Sequence, residues 1–426
     1  LPCAAAGCFT TNKVKGQPVV VSAAHLANGV AQAIICNSGN ANTSAGEAGI
    51  AVAQRMAELV SERLPVRPED VVVASTGIIG QLLDVSIIER GMDALVEGLS
   101  PTGSIAAREA IMTTDTIKKE VAVSLELADG TVVTMGAIAK GSGMIHPNMA
   151  TMLAFITTDC AIAAPMLQAA LSESTRKTFN RISVDGDTST NDMVVALANG
   201  KAGNAPIVAE GPDSRAFQEA LDEICVELAR LIARDGEGAT KLMECIVSGA
   251  VSEDEAVLLA KAVISSSLVK TALFGSDANW GRVLCALGYS PATVDPGKIA
   301  LAFESGRGYL EVCKDGAPIA FSEEKAKRVL SDTEVTILVD LGLGKALEES
   351  SRLTMIAGTP SFVAPEQAQG EPLDPRADQY SLAALAFLLL AGRAPYAHAS
   401  LAAAAAPGAP PPLSTPARPL PPEVDA

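Results

Sequence analysis

The amino-acid sequence predicts an α+β fold in which helices and sheets form layers. Short apolar or alternating runs, which are typical of β-strands, are mixed with segments that repeat apolar residues at helical spacing. The two kinds of segment do not follow the regular β-α-β order of a doubly wound parallel sheet. The 426 residues are enough for two or three domains with a large apolar core.

Eight runs predict strands, and two of them alternate on either side of Asp129 and Gly130, a pair that favours a hairpin turn. These strands are residues 18–22, 33–36, 71–74, 121–127, 132–139, 152–157, 182–184 and 241–247. Four segments with helical spacing predict helices, at residues 46–60, 166–177, 217–232 and 253–268. Asp213 and Ser214 precede the third helix and are candidates to cap its N-terminus.

The balance of charge is acidic, because 32 Lys and Arg face 49 Asp and Glu, a formal net charge of −17. Such a surface repels phosphate backbones, so the composition disfavours nucleic-acid binding. Hydrophobic residues make up 48% of the chain and aromatic residues only 3%, which predicts a core of Ala, Val, Leu and Ile. Charged residues, at 19%, are too few for a disordered chain, and we expect most of the sequence to fold.

Eight cysteines are scattered along the chain without a CxxC pair, and most lie in apolar runs. This pattern predicts buried free thiols in a reducing compartment rather than a disulfide framework or a zinc site. Three histidines leave little for any other metal site. The longest apolar run, residues 382–391, is half as long as a membrane span, and no signal peptide opens the sequence. We therefore expect a soluble, cytoplasmic protein that binds no metal and no membrane.

The segment from Lys140 to Asp159 offers a nucleophile. A loop that contains Gly and Pro leads to Ala150 and then to Thr151, at the start of an apolar strand. The Thr151 hydroxyl can attack the preceding carbonyl group and give an ester that water opens. The new amino-terminal Thr then carries its own base, because an α-amino group has a pKa of about 7.7–8.0.

Ala150 and Thr151 in this setting resemble the self-cleavage site of the glutamate N-acetyltransferases of arginine biosynthesis, also called ornithine acetyltransferases. Seven further blocks match the same family in the same order, and the resemblance covers about residues 1–343. The blocks are residues 7–13, 37–42, 75–80, 112–116, 183–192, 235–241 and 270–282.

This resemblance implies a layered fold of the self-cleaving N-terminal-nucleophile type. It implies that acetyl moves from N-acetylornithine to Thr151 and then to glutamate, which gives ornithine and N-acetylglutamate. No bound cofactor is implied, although some family members also use acetyl-CoA. Cleavage before Thr151 implies an α chain of residues 1–150 and a β chain whose core is residues 151–343, and the family's αβ heterodimers pair into a heterotetramer.

The resemblance also assigns the catalytic residues. Thr151 is the nucleophile that is acetylated and then deacylated. Thr76 and Gly77 hold the tetrahedral oxyanion, which requires donors aimed at the position where charge develops.

The family's substrate contacts match Thr114, Lys140, Thr151 and Glu237. The chemistry is suitable, since an amino-acid substrate offers a carboxylate to Lys140 and an ammonium group to Glu237. His146 invites a general-base role, but it lies beside a proline in the cleavage loop, and we interpret it as a positioning residue.

Two other functions stay open at this point. A related aminopeptidase of similar fold would pass the acyl group to water alone, and a fused, substrate-incomplete protein would fold without turnover. The loop at residues 185–191 carries oxygen ligands but lacks the twelfth-position Glu of a calcium loop, so we interpret it as turn chemistry near the site.

The resemblance to the acetyltransferases ends near residue 340, before the Asn- and Thr-bearing tail with which that family touches substrate. Residues 340–396 resemble instead the activation segment of a bacterial Ser/Thr protein kinase, with Ala364-Pro-Glu366 as its Ala-Pro-Glu triplet. A kinase's Gly-rich loop, strand lysine and His-Arg-Asp loop are absent upstream, so we expect no kinase activity. We divide this end into a kinase-like fragment, residues 344–398, and a disordered Ala- and Pro-rich tail, residues 399–426.

Overall fold

The computed structural model describes residues 2–146 and 152–342, together with the backbone of residues 355–357. The predicted cleavage site at Ala150 and Thr151, most of the kinase-like fragment and the Pro-rich tail lie outside these residues. The chain divides into two compact units, Leu1–Glu237 and Gly238–Ala426. This division between units falls at none of the three boundaries that the sequence analysis set, which follow residues 150, 343 and 398.

The first unit contains nine strands and six helices among its described residues. In chain order these are β1 (Cys3–Phe9), α1 (Gln17–His25), β2 (Val30–Ala31), β3 (Ala33–Asn37), α2 (Gly46–Ser61), β4 (Val71–Ser75), α3 (Val85–Glu97), α4 (Ser104–Ala110), β5 (Lys119–Glu126), β6 (Val132–Lys140), β7 (Leu153–Thr158), α5 (Ala164–Lys177), β8 (Ile182–Ser183), β9 (Met193–Ala198) and α6 (Pro212–Arg234).

A six-stranded sheet with the order β2-β1-β9-β7-β6-β5 forms the centre of this unit. Its neighbouring strands are antiparallel except for β7 and β9, which run parallel. A separate two-stranded parallel sheet joins β3 and β4. The predicted hairpin is therefore confirmed as the antiparallel pair of β5 and β6.

The central strands β7 and β9 of the six-stranded sheet are buried on both faces except at Thr157, which explains why their sequences are largely apolar. On one face, Phe155 and Val195 pack with Val72 and Ala74 of β4 in a single apolar cluster. Side chains alternate along a strand, so the equally buried Ile156 points to the opposite face. Helices α5 and α6 contact the sheet at β1, β5, β6 and β9. This layering of helices and sheets agrees with the predicted α+β fold.

The second unit has one sheet and four helices among its described residues. In chain order these are β10 (Leu242–Ser248), α7 (Glu253–Ser265), α8 (Ser267–Phe274), α9 (Trp280–Tyr289), β11 (Ala300–Ser305), β12 (Gly308–Lys314), β13 (Ala317–Pro318), α10 (Glu323–Leu330), β14 (Glu334–Asp340) and β15 (Met355–Ala357). Within the unit the strand order is β13-β12-β11-β14-β10-β15. Strands β10 and β14 are parallel and the other pairs are antiparallel.

The strand predicted at residues 18–22 is wrong, because these residues lie in helix α1. Pro18 occupies the first turn of the helix, where its missing N–H costs nothing. The Ser22 hydroxyl donates to the Val73 carbonyl oxygen and accepts from the Val73 N–H, both at 2.7 Å. Packing against β4 therefore overrides the β-propensity of the valine run.

Two helix predictions are corrected in detail. The helix predicted at residues 253–268 is two helices, because Ser266 leaves α7 in an extended conformation and caps α8 with its side chain. Helix α6 has Gly211 at its N-cap instead of Asp213 or Ser214, and the Ser214 hydroxyl accepts from the Gly211 N–H at 2.8 Å.

All eight cysteines are free thiols, and four of them are buried. Cys285 is exposed, contrary to the expectation from its apolar run, because it lies on the outer face of helix α9. Within the described ranges no group of three or more His, Cys, Asp or Glu could hold a metal ion. Among the same residues no single helix is long and apolar enough to cross a membrane, although the bent pair α7 and α8 passes the test by length and composition.

Candidate active site

The ends of the parallel strands β3 and β4 place Thr76 and Gly77. The Thr76 N–H donates to the Asn37 carbonyl oxygen at 3.0 Å, so this backbone donor is already used. Gly77 has a φ of +132°, and a Cβ there would clash with the backbone of Gly39 and Asn40. Only glycine fits at this position. Within the described part of the chain, the Gly77 N–H donates to no backbone acceptor.

Lys140, the last residue of β6, reaches Thr76 from the neighbouring sheet. Its side chain is 3% exposed, and Nζ donates to Thr113 Oγ1 at 2.7 Å and to Thr76 Oγ1 at 3.3 Å. The Asp115 carboxylate lies 3.9 Å from Nζ. Burial lowers the pKa of Lys140, the Asp115 charge opposes this shift, and Lys119 reinforces it.

Thr114 and Glu237 both bond to Ser142, which lies two residues after Lys140. The hydroxyl groups of Thr114 and Ser142 are 2.7 Å apart, and the Glu237 N–H donates to the Ser142 carbonyl oxygen at 2.8 Å. The Glu237 carboxylate covers Gly143 so closely that a Cβ there would clash with it. Thr114 and Glu237 are both exposed, so their polar groups are available to a ligand.

The chain just before the predicted cleavage site is held by the loop that follows β8. The Ile145 N–H donates to Asp185 Oδ1 at 2.9 Å. His146 Nδ1 lies 3.0 Å from the Ser183 hydroxyl, and the His146 carbonyl oxygen accepts from the Thr188 hydroxyl at 2.8 Å. These contacts agree with a positioning role for His146.

The chain just after the predicted cleavage site is held by the end of the same loop. The Met152 N–H donates to Asp192 Oδ1 at 3.1 Å, and the Met152 carbonyl oxygen accepts from the Met193 N–H at 3.1 Å. Asp192 is completely buried, and its Oδ2 has no hydrogen-bond partner among the described residues. Burial raises the pKa of Asp192 well above its usual range, although the Met152 N–H opposes the shift.

Asn191 connects this loop to the end of β4. Its Nδ2 donates to the Ala41 carbonyl oxygen at 2.6 Å and to the Ser75 carbonyl oxygen at 2.9 Å. Its Oδ1 accepts from the Thr43 hydroxyl at 2.5 Å. The turn chemistry predicted for the loop at residues 185–191 is thus observed as a set of buried side-chain bonds.

The structure therefore brings most of the predicted site together. Thr76 and Lys140 are in direct contact, Gly77 follows Thr76, and Thr114 and Glu237 share Ser142. The predicted nucleophile, Thr151, lies outside the described residues, but the next residue, Met152, is described.

Sequence reasoning missed the buried polar residues behind these side chains. They are Asp115, Lys119, Ser142, Asn191, Asp192 and Asp235. Most lie inside the matching blocks at residues 112–116, 183–192 and 235–241, but a block match does not reveal which side chains contact one another. The i, i+4 spacing of Asp115 and Lys119 gives no local signal either, because these residues lie in a loop and at the start of β5 and not on a helix, where that spacing brings side chains together.

Comparisons with known proteins identify the family of this chain. The ArgJ family model matches residues 1–354, and a protein kinase domain model matches residues 317–406. The arginine biosynthesis bifunctional protein ArgJ of Symbiobacterium thermophilum is 53% identical over 345 residues, which cover 81% of this chain and 85% of that protein. ArgJ 1 of Clostridium acetobutylicum is 49% identical over 344 residues, covering 81% of this chain and 84% of that protein.

Among solved structures, the crystal structure of the arginine biosynthesis bifunctional protein ArgJ from Bacillus halodurans is 45% identical. The match covers 49% of this chain and 94% of that chain, with a TM-score of 0.45.

These findings define an acyltransferase of arginine biosynthesis, and the predicted fold class is confirmed with it. The chain belongs to the ArgJ family. The prediction of a glutamate N-acetyltransferase is confirmed, and the alternative of an aminopeptidase is not supported. The kinase match begins at residue 317, earlier than residue 340, where the resemblance to a kinase was predicted to begin. The described part of this match includes α10 and β14, and β14 belongs to the sheet of the second unit.

Proposed function

We propose that Thr151 carries the acetyl group between N-acetylornithine and glutamate. The Thr151 hydroxyl attacks the acetyl carbonyl carbon, the amide C–N bond breaks, and ornithine leaves with a proton on its nitrogen. The resulting ester is then attacked by the amino group of glutamate, which forms N-acetylglutamate and restores the hydroxyl. The free α-amino group of Thr151 moves the protons, since its pKa of about 7.7–8.0 suits both directions of transfer.

The observation that carries this proposal is the pair Asn191 and Asp192. Asn191 donates to the Ser75 carbonyl oxygen, and Ser75 precedes Thr76. Asp192 accepts from the Met152 N–H, and Met152 follows Thr151. Two consecutive residues thus hold the chain neighbours of the proposed oxyanion donor and of the proposed nucleophile.

A second observation supports the same arrangement. Lys140 pairs with Leu153 across β6 and β7, two residues from Thr151, and its ammonium group contacts Thr76.

For the oxyanion, we assign the Thr76 hydroxyl and the Gly77 N–H as donors. The Thr76 N–H is already bonded to the Asn37 carbonyl oxygen, which leaves the hydroxyl. Because Lys140 donates to Thr76 Oγ1, the hydroxyl proton is free to point elsewhere. A preorganised donor of this kind stabilises the charge that develops on a tetrahedral intermediate.

For the substrates, we assign Thr114, Lys140, Thr151 and Glu237 as contacts. The exposed Glu237 carboxylate suits the ammonium group of an amino acid, and Lys140 suits a carboxylate or the developing oxyanion. We propose no bound cofactor, with acetyl-CoA as a possible co-substrate.

We also propose that the chain cleaves itself between Ala150 and Thr151. The Thr151 oxygen attacks the Ala150 carbonyl carbon, the peptide C–N bond breaks, and the nitrogen takes a proton. Water then hydrolyses the ester, which leaves an Ala150 carboxylate and a free Thr151. The α chain of residues 1–150 and the β chain remain interlocked, because β6 and β7 are neighbours in one sheet, and we propose a heterotetramer in the cytoplasm.

The rest of the domain assignment stays a proposal. We propose that the acetyltransferase core ends at residue 343, that residues 344–398 are a kinase-like fragment without activity, and that residues 399–426 form a tail. The residues Asp340, Leu341 and Gly342 resemble the metal-binding Asp-Phe-Gly triplet of a kinase, but Asp340 accepts from the Gly342 N–H at 3.1 Å.

The test is a mixture of the purified protein with N-acetylornithine and glutamate, with products identified by mass spectrometry. We expect ornithine and N-acetylglutamate in equal amounts. Acetate with ornithine and no N-acetylglutamate would indicate transfer to water, as in an aminopeptidase. No product at all would indicate the inactive fused protein.

A further inference from the structure

A buried network of charged side chains runs from Asp235 to Lys140 in the first unit. Lys119 Nζ lies 2.6 Å from Asp115 Oδ1 and 2.6 Å from Asp235 Oδ2, and none of these three side chains is more than 2% exposed. Asp115 Oδ2 in turn lies 3.9 Å from Lys140 Nζ. Two positive and two negative charges therefore balance in an interior where a lone charge would be costly.

Asp115 also fixes the backbone around Lys140. Its Oδ1 accepts from the Gly141 N–H at 2.6 Å, and Gly141 directly follows Lys140. Its Oδ2 accepts from the N–H of Thr113, the residue whose hydroxyl accepts from Lys140. One carboxylate thus holds both the chain that carries the ammonium group and the threonine that receives it.

We infer that Asp115 is a positioning residue that keeps the Lys140 ammonium group aimed at the Thr76 hydroxyl. The inference rests on the proposed function, because the network affects catalysis only if Thr76 is an oxyanion donor. A charged Lys140 fixes the direction of the Thr76 hydroxyl and adds positive charge beside the developing oxyanion.

The direction of each effect follows from the charges around Lys140. Asp115 raises the pKa of Lys140 and Lys119 lowers it, while Cys36 and Asp192 raise it. Removing the Asp115 charge should therefore make Lys140 lose its proton at lower pH. Removing the Lys119 charge should make it lose its proton at higher pH. Opposite shifts would show that the network sets the charge of Lys140, and the pH dependence of kcat then separates a role in catalysis from a purely structural one.

The test measures the titration of Lys140 directly, without relying on activity. The protein is labelled with lysine carrying ¹³C at the ε position, and the Lys140 signal is assigned by its loss in Lys140→Met. In Asp115→Asn, whose side chain has nearly the same shape, we expect the Lys140 pKa to fall by about one pH unit, the lower end of the effect of a charge a few ångströms away.

A second variant keeps the test decisive if Asp115→Asn is too unstable to titrate. Lys119→Met combined with Asp235→Asn removes a buried pair together, which costs less than breaking it. Here we expect the Lys140 pKa to rise, because Lys119 lowers it and Asp235 is not among the main groups that shift it. An unchanged pKa in the variant that folds, or a shift in the wrong direction, would overturn the inference. Failure of both variants to fold would show a structural role and would overturn it as well.

The pH dependence of kcat provides the functional readout. The alkaline limit of activity should move down in Asp115→Asn and up in the double variant. Lys118→Met and Asp93→Asn are matched controls, since both residues form surface ion pairs, with Glu109 and Arg63 respectively, and should leave the limit unchanged. If the Lys140 pKa changes as expected but no N-acetylglutamate is formed, the proposed function is wrong, while the effect of the network on Lys140 is confirmed.

Discussion

The Thr76 hydroxyl is the side-chain group on which the proposed oxyanion site depends. We expect Thr76→Ala to lower kcat by a factor on the order of 10² or more with little change in KM, because the lost donor acts only in the transition state. Thr76→Ser keeps the hydroxyl and should retain most activity. Steady-state kinetics of the two variants provide the measurement. A large rise in KM with unchanged kcat in Thr76→Ala would contradict the assignment.

Substitution of Gly77 is a weaker test of the oxyanion assignment. Its φ of +132° and its contact with the Gly39 backbone mean that any side chain strains the turn. Loss of activity in Gly77→Ala would therefore report the damaged turn together with the loss of a donor.

Removal of the Thr151 hydroxyl tests the proposed self-cleavage between Ala150 and Thr151. Thr151→Ala should give a single full-length band on denaturing electrophoresis, because no oxygen remains to attack the Ala150 carbonyl carbon. Thr151→Ser keeps an oxygen nucleophile and should still cleave. Two bands from Thr151→Ala would contradict self-cleavage by this residue.

Among the elements, the loop between β8 and β9 has the most consequences for the site. Asp192 at its end is buried, its pKa is raised by burial, and it accepts from the Met152 N–H. We expect Asp192→Asn to slow cleavage after synthesis, measured as a time course of the two bands following cell-free translation. Asp187→Asn is the matched control, since Asp187 lies exposed in the same loop.

The raised pKa of Asp192 also fixes how stability should depend on pH. The fold favours the protonated carboxyl, so the stability that Asp192 contributes is present at low pH and is lost as the pH rises through its folded pKa. Asn stays neutral, so the melting temperature of Asp192→Asn should improve relative to the native protein between pH 4 and pH 7. A constant difference between these pH values, together with cleavage at the native rate, would contradict the role given to Asp192.

Element by element, the sequence predicted the fold well where one local pattern decides the structure. The hairpin around Gly130 and the amphipathic helix α6 are examples, since alternation and helical spacing are local properties. Helix α1 was missed because its valine run favours a strand and only its contact with β4 decides otherwise. The resemblance supplied Thr76, Lys140 and Glu237, whereas the contacts of Lys119 with Asp235 join residues 116 positions apart, which no local pattern can predict.

At the scale of the whole molecule, the chain joins an ArgJ family match over residues 1–354 to a kinase-domain match over residues 317–406. If the kinase-like fragment replaces the Asn- and Thr-bearing tail with which the family touches substrate, self-cleavage should proceed normally while acetyl transfer is slow. Replacing residues from 344 onward with a family-type ending should raise turnover by a factor on the order of a hundred, because misplaced contacts cost about this much. The assay is N-acetylglutamate formation by the two chains.

The matched control for that replacement is Asp340→Asn in the native chain. It should neither create nor abolish phosphorylation, because the kinase-domain match covers only residues 317–406. Full transferase activity in the native chain would show that the family-type ending is dispensable.

Detection of the acetyl-enzyme is the most direct test of the central claim, which is that Thr151 carries the acetyl group. The protein is incubated with N-acetylornithine alone, stopped in acid, and the peptide that begins at Thr151 is analysed by mass spectrometry. We predict one acetyl group on the Thr151 oxygen, which disappears when glutamate is added and is recovered as N-acetylglutamate. N-acetylglutamate formation with no acetyl group on this peptide, or with the acetyl group on another residue, would contradict the account.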